Sequence, residues 1–295
     1  MMKNNRTIGS IAAKTAIYGV LVLFTLSILF PVYNMIILSV ADFEHSSRMG
    51  PYLVPLSFTL NNYRQIFRDA QLINSVWVAV RNVVFGVGMA MAMTVIASYV
   101  LSRKHLPGRK FMFYFIIFTM YFGAGLIPWY MVLRSLGFVN NIWVMTIPNA
   151  LSAFNMILMR NYFLSLPDSL EESARLDGAG EFVIMWLILV PLSKPIMATV
   201  SLFYAVGFWN EWWNAMLFLQ DSKLHPLALF LRRLIIESSV SFGDPMGLAA
   251  RAANPINSRA LQMATVMVAT FPILCVYPFL QKHFAKGIML GAIKA

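Results

Sequence analysis

The sequence predicts an all-α membrane protein with six crossing helices, both termini cytoplasmic, and a polar helical segment on that side between the fourth and fifth helices. Three observations predict it. Of 295 residues, 59% are hydrophobic and only 12% are charged, against roughly 25% charged in a soluble domain, so a single soluble core could not absorb this apolar surface. Six apolar runs each reach the ~20 residues that cross a hydrocarbon layer, and lipid cannot satisfy an open strand edge, so each run must be a helix. The basic residues of the short connections gather on one side.

The first run, 16–40, follows Lys3, Arg6 and Lys14. Ser39-Val40-Ala41 mimics a signal cleavage site, but the run far exceeds the ~7–15 residues of a signal core, so it reads as an uncleaved anchor. The others cover 75–101, 111–133, 142–164, 195–219 and 261–281. Gly123, Gly125 and Pro128 in the third, Pro148 in the fourth, and Pro272 and Pro278 in the sixth predict kinks or local unwinding. Neighbouring helices or cavity water then satisfy the freed carbonyls. Between the first two runs, residues 61–70 place Tyr63, Ile66, Phe67 and Ala70 at helical spacing, a pattern for a helix along the interface. Residues 226–236 form a similar apolar patch carrying Arg232 and Arg233. Residues 242–255, rich in Gly, Pro and Asn, read as irregular coil.

With a cytoplasmic N-terminus, the inner segments hold Lys3, Arg6, Lys14, Arg103, Lys104, Arg109, Lys110, Arg160, Arg175, Lys194, Lys282, Lys286 and Lys294. The outer basic residues, among them Arg48, Arg64, Arg68, Arg134, Lys223, Arg232, Arg233, Arg251 and Arg259, fall mostly in two long loops, 41–74 and 220–260. Long loops weigh less in the positive-inside rule, so the tight loop 102–110 decides the orientation. A net charge of +11 scattered over such segments argues against nucleic acid. The single cysteine, Cys275, excludes an intrachain disulfide and reads as a small buried hydrophobe.

The segment 165–194 breaks the apolar pattern. Asp168 or Ser169 can cap a helix whose first turn carries Glu171 and Glu172, at the positive end of the helix dipole. Leu170, Ala174 and Asp177 follow at spacings of four and three, and Gly178 and Gly180 end the helix. A second short helix, 181–190, puts Phe182, Met185, Trp186 and Leu189 on one apolar face, and Pro191 and Pro195 close the segment. Composition alone leaves two readings: a capped loop helix, or a docking element for a soluble partner.

The spacing of Glu172-Ser173-Ala174, Gly178, Ile188 and Val190-Pro191 resembles the EAA loop of binding-protein-dependent ABC importer permeases, with Ser173 and Val190 in place of Ala and Leu. Pro55, Phe58, Thr59, Asn62 and Tyr63, then Leu176-Asp177-Gly178-Ala179, Trp209-Asn210, and Gly287 with Gly291-Ala292-Ile293-Lys294 are similar to the carbohydrate, maltose-permease-like class. Gly125-Leu126-Ile127-Pro128-Trp129-Tyr130 and the 209–213 tryptophans point to its branch for plant or algal oligosaccharides, which includes importers of pectin- and alginate-type fragments. The resemblance implies a type I permease fold in a bacterial inner membrane. It also implies a second homologous permease subunit, two ATPase copies and an extracytoplasmic sugar-binding protein. ATP and Mg²⁺ would bind the ATPase; this chain, which has no Gly-rich phosphate loop followed by Lys-Ser or Lys-Thr, needs no cofactor and is not an enzyme. The loop would insert into a groove on the ATPase. Glu172 and Arg175 would offer charges, Ala174 close approach and Gly178 the turn, with Glu171, Ser173 and Asp177 in the same element. The tail 286–295 would touch the ATPase too.

The fifth run carries Trp209-Asn210-Glu211-Trp212-Trp213-Asn214. On one helix Trp209 lies near Trp212 and Trp213, and Asn210 near Asn214. Two readings stand side by side: an interfacial aromatic belt, or a sugar pathway in which aromatic faces stack on C–H faces and amides bond hydroxyls, with Glu211 facing protein or a wet cavity. Tyr121 is a further pathway candidate. Asn149 and Asn155 are pathway candidates too, but read rather as interhelical hydrogen-bond formers, and Arg81, beside Asn82, reads as a snorkelling side chain. Arg81, Arg232 and Arg233 are the cations an acidic substrate would meet. His45, His105, His225 and His283 are dispersed without metal-ligand spacing. An amino-acid or peptide permease would share the EAA loop but not the outer-loop and C-terminal matches. A secondary transporter calls for midplane ionisable residues in paired halves, for which only Glu211 offers itself, and no convergent His, Asp or Ser set supports an intramembrane enzyme.

Overall fold

The computed structural model describes residues 8–42, 54, 57–240 and 259–292, and every regular element among them is helical. The predicted coil at 242–255, and Lys3, Arg6, His45, Arg48, Pro55, Arg251, Ile293 and Lys294, lie outside the described residues. The chain divides into two compact units: residues 1–69 with 234–268, and residues 70–233 with 269–295.

In the first unit, helix α1 (Ile8–Ser39) carries Pro31 inside and leaves most of its apolar side chains exposed. Helix α2 (Asn61–Ile66) closes its C-terminal end. The Asn62 amide donates to the Ser39 and Ala41 carbonyls at 3.0 and 2.8 Å, and the Tyr63 hydroxyl donates to Ser39 Oγ at 2.8 Å. These bonds satisfy groups that a helix terminus leaves open. They also set the buried face of α2 by Asn62 and Ile66, so that of the expected Tyr63, Ile66, Phe67 and Ala70 stripe Ile66 is buried, Tyr63 half-buried, and Phe67 and Ala70 exposed.

The second unit is organised by α3 (Ala70–Ser102), which starts ahead of the predicted residue 75. The predicted span 111–133 is two helices, α4 (Arg109–Tyr121) and α5 (Leu126–Ser135), bent by 115°. Gly125 sits at φ +83° in that break, a region L side chains rarely adopt. The predicted span 142–164 opens as 3₁₀ turns, Ile142–Met145 and Ile147–Asn149, before α6 (Ala153–Ser165), with a bend of 43°. Pro148, which has no N–H to donate, lies in the second turn. Next come α7 (Ser169–Leu176), α8 (Glu181–Leu192), α9 (Lys194–Trp209) and α10 (Trp213–Phe218), then α11 (Leu227–Val240) and α12 (Arg259–Ala292). Helix α12 continues through Pro272 and Pro278 without the expected unwinding, since isolated missing donors are tolerated inside a long helix. Cys275, expected to be buried, is exposed on α12. Among the described residues α1 and α3 alone are long and apolar enough to cross a membrane, and three bent pairs each make a further candidate crossing.

Lipid supplies no hydrophobic force between helices, so packing and interhelical hydrogen bonds must hold them. Here Ala90, Val95, Met159, Phe163, Ile184, Leu189, Val200 and Tyr204 interlock α3, α6, α8 and α9. Across the same seams Ser98 Oγ donates to the Met156 carbonyl at 2.9 Å, Thr94 Oγ1 meets the Tyr204 hydroxyl at 2.6 Å, and Arg160 Nε donates to the Leu101 carbonyl at 2.9 Å.

Candidate coupling and translocation sites

Helix α7 is held at both ends. Its first turn carries Glu171 and Glu172. At its end Ala179 N donates to the Ala174 carbonyl at 2.9 Å and Gly178 N to the Arg175 carbonyl at 3.0 Å. These two bonds make a Schellman stop, with Gly178 at φ +83° supplying the left-handed residue. Asp168, a predicted cap, makes no side-chain cap bond. Its carboxylate pairs instead with Lys104, and that hydrogen bond and charge hold the carboxyl below the usual range.

Charged groups lash this element to the end of α3. Arg103 pairs with Glu171 and lies 4.3 Å over the Tyr99 ring. The Tyr99 hydroxyl donates to Glu181, and Glu181 pairs with Arg175 at 2.7 Å. A cavity of about 660 Å³ lies among these groups, bordered also by Lys104, His105 and Glu172. Ala174, expected to admit a partner, is buried in the chain's own core beside α3 and α8. The outward face is Glu172, Ser173, Asp177 and Leu176, the last 89% exposed. In α8 the central residues Ile184–Leu189 wind as a π-helix. Met185 and Leu189 of the expected apolar face are buried and Trp186 packs against the same core, while Phe182, ahead of the π-wound part, stands out at 71% exposed.

The second site lies where the predicted helix 195–219 breaks after Trp209. The Asn210 amide donates back to the Val206 carbonyl at 2.8 Å. Glu211 Oε1 accepts from Asn214 N at 2.8 Å, and Oε2 accepts from the Asn149 amide at 3.1 Å. Side chains that bond nearby backbone compete with the helix ladder, and two in succession end α9 and start α10. Trp209 therefore parts from Trp212 and Trp213, which stay together. Trp209 Nε1 donates to the Ala269 carbonyl at 3.2 Å, Arg232 lies 3.9 Å over Trp212, and Trp212 meets Trp213 edge-on at 5.3 Å. Buried Asn214 accepts from Trp129 Nε1 at 3.3 Å, and Tyr121 ends α4 at 85% exposed, outside both cavities.

Of that predicted set only Glu211 lines a polar cavity of about 350 Å³, which it shares with Asn149, Ser152, Asn155, Tyr204 and Phe208. Ser152 N donates to the Tyr204 hydroxyl at 3.0 Å. Ser152 and Tyr204 were not among the sequence candidates. Their signal was a polar stripe: Asn149, Ser152 and Asn155 at every third position, and Tyr204 one heptad before Glu211. Amide, hydroxyl and carboxylate groups in this array suit hydrogen bonding to hydroxyls. Among the described residues no three His, Cys, Asp or Glu converge as metal ligands.

No protein-family model matches the chain. In sequence it is 40% identical over 278 residues to the polygalacturonan/rhamnogalacturonan transport system permease protein YtcP of Bacillus subtilis (strain 168), covering 94% of this chain and 96% of the relative. It is 40% identical over 245 residues to the protein LplC of the same bacterium, covering 82% and 81%. Among solved structures, a bacterial ABC transporter involved in the import of the acidic polysaccharide alginate superposes with a TM-score of 0.85 at 31% identity, covering 96% of this chain and 100% of that one.

Proposed function

The chain belongs to the permease subunits of carbohydrate ABC importers, and on that footing we propose that it forms half of a path for acidic oligosaccharides, driven through α7 by a separate ATPase. The observation that carries the coupling role is the exposed face of α7. A helix fixed by the Schellman stop and by the Arg103–Glu171 and Arg175–Glu181 pairs presents Leu176 outward, and Phe182 stands exposed at the start of the next helix. Apolar side chains at the polar end of a membrane protein mark a protein contact. ATPase closure would move α7, and the ion pairs would carry α3 and α8 with it. A loaded sugar-binding protein would add differential affinity for the outward-open state, as any trigger must.

In this reading the chain sits in a bacterial inner membrane with both termini cytoplasmic. α1, α3, the three bent pairs and α12 make six crossings, and Arg103, Lys104, Arg109 and Lys110 hold the inner interface. The partners are a second homologous permease, an ATPase dimer and an extracytoplasmic binding protein. The Glu211–Asn149 cavity lies along the path. The names of the relatives support uronate-containing sugars: polygalacturonan and rhamnogalacturonan in one, alginate in the other.

Reconstitution tests this. Proteoliposomes holding the complex and its loaded binding protein should take up trigalacturonate only with ATP. Glu172→Lys with Gly178→Pro should abolish uptake while leaving membrane insertion intact. ATP-independent uptake, or normal turnover in the double variant, would refute the coupling role.

A further inference from the structure

Eleven residues into α3, Arg81 stands on a helix apolar enough to cross a membrane. Near the end of a crossing helix an exposed arginine serves either the headgroups or a polar path. Among the described residues no hydrogen bond or ion pair engages its side chain. Its neighbour Asn82 is the opposite case. Buried Asn82 donates from Nδ2 to the Phe208 carbonyl at 2.9 Å and accepts at Oδ1 from Thr146 Oγ1 at 3.0 Å. These bonds press the turn Ile142–Met145 against α3, and Asn141 Oδ1 fixes that turn by accepting from Trp143 N at 3.0 Å. Trp143 is thereby held edge-on to Phe85, with ring centroids 5.9 Å apart at 75°. The two rings remain 40% and 53% exposed. Arg81, Asn82, Phe85, Ile142, Trp143 and Thr146 enclose about 270 Å³, room for one sugar ring rather than a chain.

We propose that Arg81, Phe85 and Trp143 form a subsite for one uronate ring, with the guanidinium on its carboxylate and the aromatic ledge under its C–H face. This rests on the acidic-oligosaccharide reading above and gives it a residue. A carboxylate accepts two parallel bonds from the planar guanidinium fork. The Glu211 cavity, lined from the same 142–155 segment, contains a carboxylate and no cation, so of these two cavities the one at Arg81 offers the cation for a negative charge. Twenty-one residues separate Arg81 from Ser102, about 31 Å of helix, close to the ~30 Å hydrocarbon thickness. With Arg103 and Lys104 at one interface, the subsite sits at the other, where substrate enters. A lipid phosphate offers similar oxygens at that depth but gains nothing from an aromatic ledge.

The test uses the whole reconstituted complex with three variants, Arg81→Gln, Arg81→Lys and Trp143→Leu, and with trigalacturonate and its methyl ester as probes. Arg81→Gln should lower trigalacturonate uptake about tenfold and leave the neutral ester unchanged. Arg81→Lys should recover part of the loss, and Trp143→Leu should weaken both probes. Complex assembly and basal ATPase activity should match the wild type. Equal loss on both probes in Arg81→Gln, or a loss that follows the anionic-lipid content of the vesicles, would overturn the subsite in favour of packing or a headgroup contact. Wild-type uptake of the ester alone would instead remove the acidic-substrate reading, and this inference with it.

Discussion

At Gly86, α3 passes so near α9 that an added Cβ would lie 2.7 Å from the Phe208 ring. Gly86→Ala should therefore destabilise the permease by about 1–3 kcal/mol, the cost of overpacking, read as a lower melting temperature in detergent. Gly88→Ala is the internal control. Nothing lies within 4 Å of its added Cβ, and replacing Gly by Ala inside a helix is ordinarily favourable by about 0.5–1 kcal/mol. A Gly86→Ala variant as stable as Gly88→Ala would mean that the ring yields freely. His225 gives a pH-dependent case. It is buried, its Nε2 lies 3.1 Å from the Leu219 carbonyl, and burial pushes its imidazole below the ordinary value. The unfolded chain then binds a proton at higher pH than the folded one. Stability from this group is whole above about pH 6.5 and declines as pH falls below it. His225→Gln should flatten the melting profile between pH 5 and 7, and an unchanged slope would assign the acid sensitivity elsewhere.

The elements divide into those written locally and those written by long-range contacts. Helix α7 was legible because its signals lie within ten residues: two glutamates in the first turn, then Gly178 at the left-handed stop. The α4–α5 break was legible as unwinding from Gly123, Gly125 and Pro128, though not as a bend of 115°. The end of α9 was not legible, since no Gly or Pro marks positions 210–212 and the break is made by the Asn210 and Glu211 side chains bonding nearby backbone, with Asn149, far away in sequence, holding the other Glu211 oxygen. The π-wound part of α8 was hidden likewise, as was the outward position of Phe182 ahead of it. The bracket that ties α7 to α3 depends on tertiary contacts too, and it carries the next prediction. Tyr99→Phe keeps the ring under Arg103 but removes the bond to Glu181. A looser link should waste ATP: uptake per ATP hydrolysed should fall while basal ATPase activity and complex assembly hold. If the ratio is unchanged, the two ion pairs suffice and Tyr99 is only packing.

For the whole chain, the solvent class was evident from composition, because an excess of apolar residues has few stable resting places other than lipid. Direction across the membrane was a finer inference, resting on Arg103 and Lys104 after α3 and Arg109 and Lys110 at the start of α4 rather than on the net charge of +11, which is spread too widely to point. Coupling needs that direction, since α7 can meet an ATPase only on the cytoplasmic side. Cysteine accessibility measures both at once. In a Cys275→Ser background, Leu176→Cys should react with an impermeant maleimide only in inside-out vesicles. Lys223→Cys, in an exposed turn after α10, should react only in right-side-out ones. Stripping the ATPase should open Leu176→Cys to reagent and adding it back should protect the site, because the 89% exposure of Leu176 in the isolated chain is the surface the motor is expected to cover. Labelling of Leu176→Cys from outside would reverse the topology and end the coupling role together. Labelling from inside without protection would keep the topology and move the ATPase contact off α7.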